Sequence, residues 1–450
     1  HRVWGTLIFI LFMLVMFRSV FTWAVPAMEL IETATGALGE TLGATLADGP
    51  LKSLVVDGVI AGVGSVLVFL PQIFILFFFI ALLEDCGYMA RAAYLMDRLM
   101  VRAGLSGKSF IPLLSSFACA IPGVMATRVI ENRRDRFTTI MVAPLMSCSA
   151  RLPVYTVLIA AFIPTTTYAG GLFSLQGLTM FAMYAVGIAT AVVVAMLLKK
   201  TILRGDAPAF VMELPSYKFP SLRLVFQRML ERGWAFVRRA GTLIFAVSVI
   251  VWAAAYYPRD AATVEAPFRD SLDAVAAQIE AVADDPSQTD RLAELTLERS
   301  RLQGQIAGAY QRQSYLGRAG QAIEPLVRPL GWDWRIGCAA IASFPAREVV
   351  VSTLGVIYNL GGDQDEASLA LRERLKEATW DDTGEKVYNV PVALSIMVFF
   401  ALCAQCAATL AVIRRETNSW RWPIFTFTYM TTLAYLGALA TYQIGMLFVG

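Results

Sequence analysis

The chain has 450 residues, of which 57% are hydrophobic and 16% charged, against roughly 25% charged in an average soluble domain. Its 38 Lys and Arg against 35 Asp and Glu leave a net charge of +3. These figures exclude intrinsic disorder, which needs low hydrophobicity and high net charge. They also exclude a disulfide scaffold, with 6 Cys in the whole chain, and they give nucleic-acid binding no support.

The apolar residues come in blocks of about 17–25, enough to cross a bilayer as helix. The chain therefore reads as an all-α polytopic membrane protein with about seven transmembrane helices. The first predicted span covers 4–25. It follows His1 almost at once, with no small-residue cleavage site behind it, so the start reads as a piece of a longer protein. An outer amphipathic stretch completes 1–57. The second span covers 58–84, where Pro71 predicts a kink. The third and fourth cover 137–163 and 176–198. The fifth, 241–257, is short. The last two cover 391–412 and 423–449.

Orientation follows from the short loops. The stretches 85–108, 128–136, 199–239 and 413–421 are rich in Arg and Lys and are placed inside. The stretches 27–57 and 164–175 contain only Lys52 between them and are placed outside. Two charged insertions, 258–320 and 360–390, read as decoration outside the membrane. In the first, apolar residues recur at helical spacing from Leu272 to Val282 and again from Leu292 to Ile306. Asp284-Asp285-Pro286-Ser287 breaks the pattern, which predicts a helical hairpin.

Two small-residue apolar stretches remain, 116–128 around Pro122 and 342–355 around Pro345. Both suit re-entrant hairpins, whose non-helical backbone is tolerated where protein or water surrounds it. Both contain Ser-Phe, at 116–117 and 343–344, and both precede a Cys-bearing span. MSCSARLPV at 146–154 aligns with AQCAATLAV at 404–412, which pairs Cys148 with Cys406. One re-entrant segment lies between inner loops and the other between outer ones, so the copies form an inverted repeat, the mark of secondary transporters. The expected organisation is a first repeat at 58–163, a linking span and basic loop at 164–240, a second repeat at 241–412 carrying both insertions, and a final span at 413–450.

His1 is the only histidine, so imidazole ligands are scarce. Cys119 lies in the first re-entrant segment, and Cys148 and Cys406 are repeat mates. Cys403-Ala-Gln-Cys406 has the spacing that puts two thiols on one face of a helix. Thiolates suit soft or borderline metals such as Fe(II), Zn and Cu(I) better than Mg or Ca. Buried Cys is also an ordinary small core residue. Charges at membrane depth or its edge are costly and usually paired. Of Glu84, Asp85, Arg91, Asp97, Arg151, Arg347 and Glu348, the pairs Glu84-Asp85 and Arg347-Glu348 are the candidates for gating or ion passage. GLSGKS at 104–109 is not a phosphate loop, because Arg102 stands where that motif needs its first Gly. No catalytic residue or bound cofactor is identified.

Several long motifs, in order, resemble the ferrous iron transport protein B family. They are VFLPQIFILFFFIALLEDCGYMARAAYLMDRLM at 68–100, GKSFIPLLSSFACAIPGVMATR at 107–128, PLMSCSARLPVY at 144–155, FVMELPSYKFP at 210–220 and PLGWDWRIGCAAIASFPAREVVVSTLGVIY at 329–358. The resemblance implies two Gate modules of nucleoside-transporter-like architecture in a bacterial inner membrane. It implies Fe(II) as the transported ion, passed inward through a Cys-lined path between two gates. It also implies metal handling by Cys119, Cys148 and Cys406, with Cys403 one turn away. GTP and Mg enter only through a G domain, which this sequence does not contain, so the chain itself is not expected to be an enzyme. The implied partners are the lipid bilayer, a G domain in cis or as a separate chain, a small cytoplasmic accessory protein and a further copy of the chain. The alternatives are a Gate-family transporter of a nucleoside-like or other small solute, or a metal-sensing membrane receptor.

Overall fold

The computed structural model describes residues 11–12, 14–16, 18–47, 49–168, 173–204, 217–282, 289–344, 347, 349–358, 369–380, 384–404 and 406–449. Apart from the single turn Pro50–Ser53 and short 3-10 and π turns, the helices in chain order are α1 (Val25–Thr45), α2 (Ala61–Val68), α3 (Leu70–Asp85), α4 (Tyr88–Arg102), α5 (Phe110–Ala118), α6 (Ala120–Ala126) and α7 (Arg133–Val142). Then come α8 (Leu152–Phe162), α9 (Leu175–Lys200), α10 (Leu222–Phe236), α11 (Thr242–Tyr256), α12 (Ala261–Val282), α13 (Thr289–Gln313) and α14 (Tyr315–Val327). The last six are α15 (Trp334–Ala342), α16 (Val349–Ile357), α17 (Leu369–Glu377), α18 (Val390–Leu402), α19 (Ala407–Thr417) and α20 (Arg421–Val449). One two-residue antiparallel pair, Thr167–Tyr168 with Phe173–Ser174, is the only sheet among the described residues.

Four described helical segments are long and apolar enough to cross a membrane: Arg133–Phe162, Leu175–Lys200, Val390–Thr417 and Arg421–Phe448. They coincide with four of the seven predicted spans, and the protein is a multi-pass membrane protein. The other three differ from plain helices. The first half of the first span, up to residue 10, lies outside the described residues, and its second half runs through a π-helical turn at Ser19–Trp23. The second is divided at Phe69, so that Pro71 opens α3 in its first turn, where a missing N–H costs nothing. The fifth is covered by α11, whose apolar part Ile244–Tyr256 is short. Among the described residues, several apolar runs are cut into half-helices.

The chain divides into two compact units: 1–150, 182–249 and 401–434 in the first, and 151–181, 250–400 and 435–450 in the second. In the first, Met16, Val20, Leu76 and Phe79 make a buried cluster, with Phe12 edge-on to Phe79 at 5.7 Å between centroids. The turn from α3 into α4 passes through Gly87 at φ 76°, a left-handed conformation that glycine adopts without steric cost. In the second, Leu316, Trp334, Cys338, Ala342 and Ile357 cluster. Trp332 is buried there and its indole N–H donates to Ser395 Oγ at 3.2 Å. The two helices expected of the first insertion are present as α12 packed on α13, while the predicted break at 284–287 lies outside the described residues.

The four basic stretches expected on one side of the membrane are tied together within the first unit. Lys108 pairs with Glu131 at 2.7 Å. Glu84 pairs with Arg232 at 2.8 Å and Arg228 at 3.6 Å. Asp85 accepts from the Ser221 amide at 2.7 Å. Lys199 pairs with the fully buried Asp135. Arg128 and Arg136 both hold Glu416, the second at 2.8 Å. Segments 85–108, 128–136, 199–239 and 413–421 thus share one polar end, as a common inner side requires.

Candidate functional site

Besides the division at Phe69, four breaks among the described residues interrupt apolar helices, and thiols or a buried charge stand at each. Cys119 alone separates α5 from α6, with extended backbone at φ −155°, ψ 133°. The two halves fold back on one another as the re-entrant reading expects. A Cβ on Gly123 would lie 1.9 Å from Ser116 Oγ and 2.8 Å from the Pro112 carbonyl. Only glycine lets the arms approach this closely. The second break, 146–148, separates α7 and its short 3-10 extension from Ser149 and α8. It carries Cys148 and is flanked by Pro144 and Pro153. The third separates α18 from α19 and holds Cys403 and Cys406. The fourth separates α15 from α16 and holds Arg347; Pro345 and Glu348, which the sequence also marked, lie outside the described residues.

The third break corrects the reading of Cys403-Ala-Gln-Cys406 as one helical face. Cys406 is extended, at φ −161°, ψ 97°, and its amide donates to Ala404 O rather than four residues back. The helix stops at Leu402 and restarts at Ala407, so the two thiols occupy different surroundings. Cys403 is buried, 1% exposed, whereas Cys406 is half-buried and accepts from Thr409 Oγ1 at 3.1 Å. Cys119 and Cys148 are also half-buried. Among the described residues no three His, Cys, Asp or Glu side chains form a metal-holding group. The three candidate thiols are therefore not gathered into one coordination shell here, although all three belong to the first unit.

α6 and α19 pack against each other. Each follows a cysteine, and their far ends are joined by the Arg128–Glu416 ion pair. Parallel packing of this kind puts Cys119 and Cys406 at one end of the pair and the ion pair at the other. The Glu416 side chain is only 3% exposed. Its hydrogen bond holds the Arg128 guanidinium above its ordinary pKa. At the neighbouring loop the Lys108 ammonium holds the Glu131 carboxyl below its own. In the sequence Arg136 and Lys199 count only as charges of the basic loops, and neither Glu416 nor Asp135 stands out as their partner. The one available signal was an acid placed inside a basic run, as in Arg414-Arg415-Glu416.

Beneath the first hairpin lies a cavity of about 540 Å³. Ser115, Pro122 and Met125 of the hairpin line it together with Met89 of α4, and Glu84 and Lys108 are among its charged lining. Glu84, one of the expected ion-passage residues, is thus on a cavity wall but already paired with arginine. Asp85 is used by the Ser221 amide. In the second unit Arg347 is 5% exposed and donates from Nη1 to the Phe400 carbonyl at 2.9 Å. The rejected phosphate-loop resemblance is settled locally: the Gly107 amide donates to Asp97 Oδ1 at 2.9 Å, and Lys108 is engaged by Glu131.

The Gate family model, described as nucleoside recognition, matches residues 66–162 and 237–420. The model described as ferrous iron transport protein B C terminus matches residues 180–232. The chain is 42% identical over 448 residues to a protein of Leptospira interrogans named Fe(2+) transporter FeoB, covering 100% of this chain and 59% of that protein. It is 36% identical over 456 residues to a protein of the same name from Staphylococcus aureus, covering 100% of this chain and 58% of that one. A Porphyromonas gingivalis protein named as a fusion of Fe(2+) transport protein A with Fe(2+) transporter FeoB is 42% identical, and 51% of it is covered. The chain therefore spans only half to three-fifths of the curated relatives' length. No solved structure matches.

Proposed function

We propose that this chain, which belongs to the ferrous iron transport protein B family, is the membrane permease part of a GTPase-coupled Fe(II) importer. The carrying observation is that Cys119, Cys148 and Cys406 each stand in a break between apolar half-helices. A break exposes backbone carbonyls and a thiol where a continuous helix would present only hydrocarbon, and irregular backbone at membrane depth belongs where a cavity or protein receives it. Thiolate and carbonyl ligands suit a borderline cation such as Fe(II).

The thiols act in succession rather than as one cage. Fe(II) passes from break to break and leaves through the cavity beneath the first hairpin, past Ser115 and the methionine thioethers. Glu84 and Asp85 shape the inner mouth, and Arg347 braces the second hairpin. GTP and Mg act in a G domain outside these residues, which docks on the basic inner loops. The fused relative supports a small accessory protein as a further partner. A nucleoside-like cargo is disfavoured because three of the four breaks carry thiols, which suit a metal ion better than a nucleobase.

Uptake of radioactive iron by vesicles containing the G-domain-bearing protein tests this reading. Replacing Cys119, Cys148 or Cys406 by Ser lowers uptake at least tenfold, whereas Cys338→Ser, in the second unit's core, leaves it near the parent rate. Normal uptake by all three break variants sinks the proposal.

A further inference from the structure

A second cavity in the first unit, about 570 Å³, is lined by Glu231, Trp234, Ala235, Arg238, Thr242 and Arg415. It lies where the start of the fifth span meets the inner end of α19. Arg238 and Arg415 are exposed, and neither has an ion pair or hydrogen bond through its guanidinium to any described residue. This sets them apart from Arg128, Arg136, Arg228 and Arg232, which have carboxylate partners. The one acid on the wall, Glu231, accepts from Gln227 Nε2 at 3.0 Å. Two guanidiniums with no ion-pair partner, set against the single carboxylate of Glu231, leave the cavity net positive and a site for an anion, since their planar forks match phosphate geometry.

Its surroundings identify the anion's carrier. Trp234 is 68% exposed, and with Leu222 at 62%, Phe226 at 52% and Leu230 at 54% it forms an apolar stripe at four-residue spacing along α10. Below the arginines the chain enters the apolar part of α11. Trp favours the membrane–water interface, and basic residues mark the inner leaflet. An anionic head held beside an apolar strip describes a phospholipid, and basic pockets between helices on the inner side take such headgroups.

We propose that the cavity bounded by Trp234, Arg238, Thr242 and Arg415 binds the phosphate of an anionic phospholipid of the inner leaflet. Arg238 and Arg415 clamp the phosphate, Thr242 lies beside it, and Trp234 packs on the upper acyl chain. The site stands independently of which ion the protein moves.

The test uses the full protein in lipid nanodiscs, with Trp234 fluorescence taken as the difference between the parent and W234F. Brominated phosphatidylglycerol is expected to quench this component several-fold more than brominated phosphatidylcholine at the same mole fraction. In the R238Q/R415Q variant affinity falls about thirtyfold and the preference disappears. A control variant, R102Q/R223Q, removes two exposed arginines elsewhere on the inner end and keeps the preference. Equal quenching by the two lipids overturns the proposal, as does a preference that survives R238Q/R415Q or one lost equally in the control. Inorganic phosphate is added to the detergent-solubilised protein as a separate arm. If it shifts Trp234 emission as fully as phosphatidylglycerol does, the site is for a soluble anion and the lipid proposal fails. Both arginines are exposed, so the variants keep the fold; thermal unfolding of each checks this directly.

Discussion

The two re-entrant hairpins share a plan and differ in chemistry. The first breaks at Cys119, a half-buried thiol in extended backbone. The second breaks around Arg347, a guanidinium 5% exposed that donates to the Phe400 carbonyl. A thiol can receive a soft cation, whereas a buried guanidinium repels one and fixes a carbonyl instead. A repeated fold therefore need not repeat its ligand. In this account the first hairpin handles the ion and the second holds shape.

That division can be broken at several points. The largest effect is expected at Gly123, where an added Cβ meets Ser116 Oγ and the Pro112 backbone. Gly123→Ala forces the arms of the first hairpin apart and costs about 3 kcal/mol, read as a lower thermal midpoint together with lost uptake. At the second hairpin, Arg347→Met removes a charged hydrogen bond to a buried carbonyl and costs roughly 1.5–3 kcal/mol. Its uptake per folded molecule should stay near the parent value; a folded Arg347→Met protein with no uptake would give the second hairpin a direct part in ion passage. Glu416→Gln should cost less, about 1 kcal/mol, because Arg128 is half exposed and its pairing is screened. A bifunctional thiol reagent bridging Cys119 and Cys406 should still react more slowly in that variant, since the clamp sets the register of α6 and α19.

The smallest effect concerns pH. Lys108 holds the Glu131 carboxyl below its ordinary pKa of 4.5. A lowered folded-state pKa means stability that is present above 4.5 and lost as pH falls through the folded value. Lys108→Met should therefore narrow the gap in thermal midpoint between neutral pH and pH below 4. The change is slight, because Glu131 is fully exposed.

Much of this was legible in the sequence for identifiable reasons. Pro71 forecast the division of the second span, since proline cannot continue a helical ladder. Small residues around Pro122 forecast the first hairpin, because close-packed arms need Gly123. The basic loops forecast a common side, and their ion pairs join them there. The break at Cys403–Cys406 was hidden, because AQCAATLAV contains neither Pro nor Gly and reads as unbroken helix. What interrupts it is tertiary surroundings, to which a local pattern is blind. The Arg128–Glu416 clamp was hidden for a related reason: its partners are far apart in sequence, and charge alone matched Arg128 to many carboxylates. The break at Cys148 did carry a signal, in Pro144 and Pro153 on either side.

The central claim is that the thiols in the helix breaks of the first unit hold the ion in passage. X-ray absorption at the iron edge of the full protein loaded with Fe(II) under anaerobic conditions tests it most directly. The account predicts sulfur scattering in the first shell, reduced in each of Cys119→Ser, Cys148→Ser and Cys406→Ser and unchanged in Cys338→Ser. A first shell of oxygen and nitrogen alone in the parent protein would contradict it.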